Sequence, residues 1–194
     1  MGAAADCELI GLGLTGQPVN TITTLAFVVA GAYLSSRPRL RWVGIALGAT
    51  GIGSFLFHGP MPAGSEWAHD VTLAWLILVI AGIGQTWEKW TRLRGLFVIA
   101  ALFALVPVSA DPVAVVLTAT AVVLILGRDH SAAMLAPLGF IAAVAIIGRL
   151  GATGNPLCDP ESLIQPHGLW HIGAAVGVVW WALSIDSADL PLHR

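Results

Sequence analysis

Five residues stand out for chemistry in a chain with few polar groups: Ser54, His58, Asp70, His167 and His171. Ser54 and His58 are four apart in GSFLFHG, and His167 and His171 are four apart in QPHGLWHIG. On a helix that spacing puts both members of a pair on one face, with β-carbons about 5–6 Å apart. Three neutral imidazoles with one open position make a catalytic zinc arrangement, at metal–nitrogen distances of about 2.0–2.1 Å. Zinc held this way lowers the pKa of its water to about 7, and a neighbouring carboxylate can take the proton. Asp70 is the candidate base. Ser54, one turn below His58, is placed to hydrogen-bond the water or a developing oxyanion.

Each residue also has an ordinary reading. A single histidine at a helix end is more often an interfacial residue than a ligand, and His69, His130 and His193 are left in that class. Asp70 alone reads as a cap or a charge favoured by a helix dipole. Ser54 alone reads as a hydroxyl bonded to a carbonyl of its own helix. The eight tryptophans are mostly interface anchors, with Trp67 and Trp170 beside the proposed site as candidate lining. The conjunction of these residues on three segments argues for a site, so the segments must be placed.

The composition sets the environment. The 194 residues are 57% hydrophobic and only 10% charged, against about 25% charged in a soluble domain. That is too little charge to cover a surface in water, which selects the membrane class. A net charge of -2 with no dense basic cluster gives no footprint for nucleic acid. The start, MGAAADCEL, has no Lys or Arg and does not read as the basic region of a signal peptide.

Punctuation by turns and charges divides the chain into seven apolar segments, at 18–35, 40–57, 68–86, 94–109, 112–127, 131–149 and 166–185. Several are near the short end of the roughly 17–25 residues a spanning helix needs. The fourth and fifth meet at a tight turn from Pro107 to Pro112, so a re-entrant pair with five spans is the competing topology. No internal repeat or long linker appears, and 1–194 reads as one domain. Arg37, Arg39, Arg41, Lys89, Arg92, Arg94, Arg128 and Arg194 fall on alternate connections or the end of the chain, with Arg149 the exception. By the positive-inside rule the fold class is an all-α, integral membrane bundle of seven transmembrane helices, N-terminus outside and C-terminus cytoplasmic. His130 and His193 then fall on the cytoplasmic side. The second segment ends outside with Ser54 and His58, while the third and seventh start outside with Asp70 and with His167 and His171. Three helices deliver their polar residues to one depth, where ionisable groups are costly and usually functional.

Ser54-x3-His58, then Asp70, then His167-x3-His171 resembles the signature of the alkaline ceramidase superfamily, which also contains the adiponectin and progestin receptors, haemolysin-III-like proteins and hydrolases that remodel GPI lipids. The likeness extends to the number and order of helices. It implies that His58, His167 and His171 ligate zinc, with Asp70 and Ser54 in the catalytic roles above. The segment DCELIGLGLTGQPVNTITTLAFVVAG looks like the alkaline ceramidase branch, where an acidic stretch with Cys-Glu precedes an Asn at the first helix. In that branch acids here hold calcium, which would correspond to Asp6, Glu8 and Asn20. The match is incomplete: Ala5 and Asp6 stand where the pattern has Asp-Trp, and Gln17 where it has an acid. Cys7 in the outer tail and Cys158 in an outer loop would both face an oxidising compartment, and the similar family joins these regions, so a Cys7–Cys158 disulfide is expected.

These expectations add up to a zinc-dependent hydrolase cleaving the amide bond of a ceramide-like lipid to fatty acid and sphingoid base. The partners are the lipid substrate and the bilayer, with no nucleic acid and no protein partner implied. Short loops suit a bacterial inner membrane, with the site near the outer, periplasmic face. The rivals are an ester or phospholipid hydrolase using the same metal, and a receptor-like or haemolysin-like bundle with structural zinc. A structural zinc is normally closed by four protein ligands, so three histidines favour the open site. A retinal protein needs a lysine inside the bundle, and the only lysine, Lys89, is in the loop EKWTRLR. A transporter is disfavoured by the lack of paired broken helices.

Overall fold

The computed structural model describes residues 2–129 and 131–187; His130, His193 and Arg194 lie outside the described residues. Its secondary structure is helical, with no strand among the described residues. The helices are α1 (Pro18–Thr23), α2 (Leu25–Ser35), α3 (Arg41–His58), α4 (Ser65–Gly82), α5 (Glu88–Thr91), α6 (Leu93–Leu105), α7 (Ala110–Leu126), α8 (Ala132–Leu150) and α9 (Pro166–Ser187). Short 3-10 turns occupy Ala3–Asp6 and Pro107–Ser109. Every apolar segment of the sequence therefore overlaps a helix, although the first is split into α1 and α2, the third lies at Ser65–Gly82 rather than 68–86, and the fourth ends at Leu105 before the Pro107–Ser109 turn.

Four helical stretches are long and apolar enough to cross a membrane: Pro18–Ser35, Pro107–Leu126, Ala132–Leu150 and Pro166–Ser187. α6 is apolar but shorter, at 13 residues. α3 and α4 have 18 residues each and carry the polar groups Thr50, Ser54, His58, His69, Asp70 and Thr72. Burial inverts the pattern of a water-soluble protein. Phe97, Leu105, Val115 and Val123 are exposed, while Gln17, Asn20, Ser54, His58, Gln165 and His171 are buried. Apolar residues outside and polar residues inside is the distribution a lipid solvent imposes.

The helices pack closely where side chains are small. A β-carbon on Gly31 of α2 would lie 2.5 Å from the Gly48 nitrogen and 2.7 Å from the Gly44 oxygen of α3, so only glycine permits this approach. Between α3 and α4, Thr50 Oγ1 donates to the Thr72 carbonyl at 3.0 Å. The interior is filled by Leu34, Leu47, Trp75, Phe103 and Trp181. Trp75 Nε1 donates to the Thr91 and Arg92 carbonyls, at 3.0 and 2.8 Å, which joins α4 to the α5–α6 corner. At one end of the bundle, Arg37 and Arg39 pair with Asp186 at 3.4 and 3.9 Å, tying the α2–α3 connection to the end of α9. The opposite end gathers the end of α3, the starts of α4 and α9, and the N-terminal tail.

Proline starts both helices that enclose that opposite end. Pro18 opens α1 and Pro166 opens α9, where a missing N–H costs nothing. Glu8 caps α1 from outside, accepting from the Val19 and Asn20 N–H groups at 2.7 and 2.8 Å. A carboxylate there satisfies two free donors and complements the helix dipole. α1 packs against both α3 and α9, so it stands between the helix that ends in His58 and the helix that carries His167 and His171.

Candidate metal centre

His58 ends α3, and His167 and His171 occupy the first two turns of α9. Their rings converge, with centroid separations of 4.9 Å for His58–His167, 5.2 Å for His58–His171 and 4.6 Å for His167–His171. One nitrogen from each lies within 4.8 Å of the others. His58 and His171 are buried, and Phe27 meets the His171 ring edge-on at 5.5 Å.

Each Nδ1 has a partner, and each partner comes from the tail or α1. Gln17 Oε1 lies 2.7 Å from His58 Nδ1. Asp6 Oδ1 lies 3.3 Å from His167 Nδ1. Thr23 Oγ1 lies 3.0 Å from His171 Nδ1. The Nε2 atoms of His58 and His167 are buried with no hydrogen-bond partner. Buried polar atoms are seldom left unpaired, and imidazoles with Nδ1 engaged and Nε2 free are the ordinary state of metal-ligating histidine. Three imidazole nitrogens this close together are a donor set that could hold a metal ion.

The tail is held over this cluster at several points. Cys7 and Cys158 form a disulfide across 151 residues, as expected from their placement. Thr153 N donates to the Ala5 carbonyl at 2.9 Å, and Cys7 N donates to Thr153 Oγ1 at 3.1 Å. Gly16 N and Gln17 N donate to the Gly59 and His58 carbonyls at 3.0 and 2.8 Å. A β-carbon on Gly16 would meet the Gly59 oxygen at 2.8 Å, so this docking needs glycine. Burial raises the Asp6 carboxyl to about 6, with the nearby His69 acting in the opposite direction.

The other expected site residues take these positions. Ser54 is buried one turn before His58 on α3. Asp70 lies 2.9 Å from His69 Nδ1, and the His69 ring stacks on Phe57 at 4.9 Å and stands edge-on to His58 at 6.3 Å. Asp70 thus reaches the site end through His69, a residue that sequence reasoning set aside. Asp70 and Trp67 also line a cavity of about 630 Å³ between α4 and the α6–α7 corner, with Phe103 and Val108 on its far side. Trp67 Nε1 donates to the Ala100 carbonyl at 3.3 Å. Trp170 packs on Gly148 of α8.

The three residues weighed for calcium are divided among different tasks. Glu8 spends both oxygens on the start of α1, and Asp6 faces His167. Asn20 Oδ1 alone is buried with no partner. Sequence reasoning noticed Gln17 only as a departure from an acidic pattern. It missed Thr23, which no local motif marks.

Searches against protein-family models, curated proteins and solved structures return no match for this chain.

Proposed function

We propose that this chain is a zinc-dependent hydrolase within a membrane, cleaving the amide bond of ceramide-like lipids, in keeping with its resemblance to the alkaline ceramidases. The observation that supports this best is the convergence of His58, His167 and His171, each with its Nδ1 already engaged. In the proposed topology α3, α4 and α6 cross the membrane together with the four longer spans, making seven crossings. The end bearing the histidines faces outward, consistent with a disulfide that needs an oxidising compartment. A bacterial inner membrane, with this end periplasmic, suits such a chain.

His58, His167 and His171 would hold the zinc, which supplies a Lewis acid and lowers the pKa of water at its open position. Asp70 accepts the proton of the attacking water and returns it to the leaving amine nitrogen, while His69 holds its carboxylate in place. Ser54 Oγ, on the face of α3 that carries His58, donates to the oxyanion that develops as water attacks the carbonyl carbon. Burial of the cluster among Phe27, Phe57 and the tail keeps bulk water away from these charges.

The test is zinc analysis of purified protein followed by a lipid panel of ceramide, a neutral diacylglycerol and a phospholipid. Fatty acid released from ceramide supports the amide assignment. Release only from the esters replaces it with an ester hydrolase, and a fully metallated protein that cleaves none is a bundle with structural zinc.

A further inference from the structure

The Gln17 side chain has no freedom in how it is oriented. Its Nε2 lies 2.8 Å from the Ala3 carbonyl oxygen and 2.8 Å from the Glu8 carbonyl oxygen. Both partners only accept, so the amide nitrogen must face them and both its protons are spent. The amide oxygen therefore faces His58 Nδ1, 2.7 Å away, and it too can only accept. His58 must carry its proton on Nδ1. That leaves the lone pair on Nε2, the atom buried without a partner. Gln17 is itself fully buried, with its backbone N–H bonded to the His58 carbonyl.

We propose that Gln17 is the positioning residue for His58: it fixes the tautomer and ring direction that make Nε2 a metal ligand. Through Gln17 the disulfide-anchored tail becomes part of the metal site. The same amide also ties together Ala3 and Glu8, on either side of Cys7, through its nitrogen, while its oxygen alone serves His58. This inference rests on the metal-centre reading and adds a role that the three ligands do not specify. Partners of ligating histidines typically contribute about 10- to 100-fold to metal affinity.

The experiment measures affinity for zinc and for cobalt(II), by chelator competition and by the cobalt visible spectrum, in wild type, Gln17→Leu and Gln17→Glu. Gln17→Leu removes both the acceptor for His58 and the donors to the tail. Gln17→Glu keeps the acceptor but removes the amide donors. The expected result is a loss of about 10- to 100-fold in Gln17→Leu and an affinity within a few-fold of wild type in Gln17→Glu. Unchanged affinity in Gln17→Leu overturns the proposal. An equal loss in both variants also overturns it, since the side chain would then act only by holding the tail. Histidine nitrogen NMR on the wild type gives a readout that does not depend on a variant folding. His58 protonated on Nδ1 supports the assignment, and protonation on Nε2 in the metal-free protein overturns it. A wild type that binds neither metal defeats the metal centre itself, which is distinguishable from a failure confined to Gln17.

Discussion

Asp6 Oδ1 stands 3.3 Å from His167 Nδ1, so a carboxylate next to the tail cysteine reaches the first turn of the last helix. The carboxylate that meets a cluster histidine is therefore on the tail, while Asp70 of α4 meets His69. The two acids thus face different histidines, Asp6 facing His167 and Asp70, the base of the proposed mechanism, facing His69.

Purified protein is expected to hold about one zinc per chain, since three histidines form one site. His58→Ala and His171→Ala should each lose it, because one imidazole comes from α3 and the other from α9. Metal analysis after exhaustive dialysis checks this. Retention of zinc in both variants would place the metal elsewhere.

Asp70→Asn should lower ceramide turnover by about 10²- to 10⁴-fold, the usual weight of a positioned acid–base group. Zinc content should stay at the wild-type level, because the carboxylate bonds His69 rather than a cluster histidine. Zinc lost along with activity would instead make Asp70 structural.

Glu8→Ala removes two charge-assisted bonds to the first turn of α1. A lost cap of this kind costs about 1–2 kcal/mol, so the apparent melting temperature should fall by several degrees. α1 carries Thr23 and begins beside Gln17, so metal affinity should fall with it. A thermal melt and a chelator titration on the same preparation measure both.

Reduction of Cys7–Cys158 should leave helix content unchanged by circular dichroism, since no helix depends on that bond for its own hydrogen bonds. It should release the tail to a broad-specificity protease cutting in the exposed stretch containing Leu9, Ile10, Leu12 and Leu14. Equal protection with and without reductant would show that the backbone bonds to Thr153, His58 and Gly59 hold the tail unaided.

Much of the fold was legible because lipid makes helix formation a local matter. With no water to satisfy the backbone, each apolar run must close its own hydrogen bonds. The seven runs accordingly appear as helices, α3 ending at His58 and α9 opening at Pro166 as the punctuation implied. The break at Thr24 between α1 and α2 was not legible. Thr24 N donates to the Asn20 carbonyl while Thr24 Oγ1 takes the Thr21 carbonyl, a competition no apolar periodicity reports.

The sequence by itself determined that the seven apolar runs are helical and that His167 pairs with His171, because residues four apart share a helical face whatever surrounds them. Only the tertiary structure decided that Gln17, Asp6 and Thr23 serve the three histidines. Those contacts join residues 41, 161 and 148 positions apart (58−17, 167−6 and 171−23). They exist because α1 lodges between α3 and α9 and the disulfide holds the tail across their ends, a long-range arrangement that no local spacing encodes.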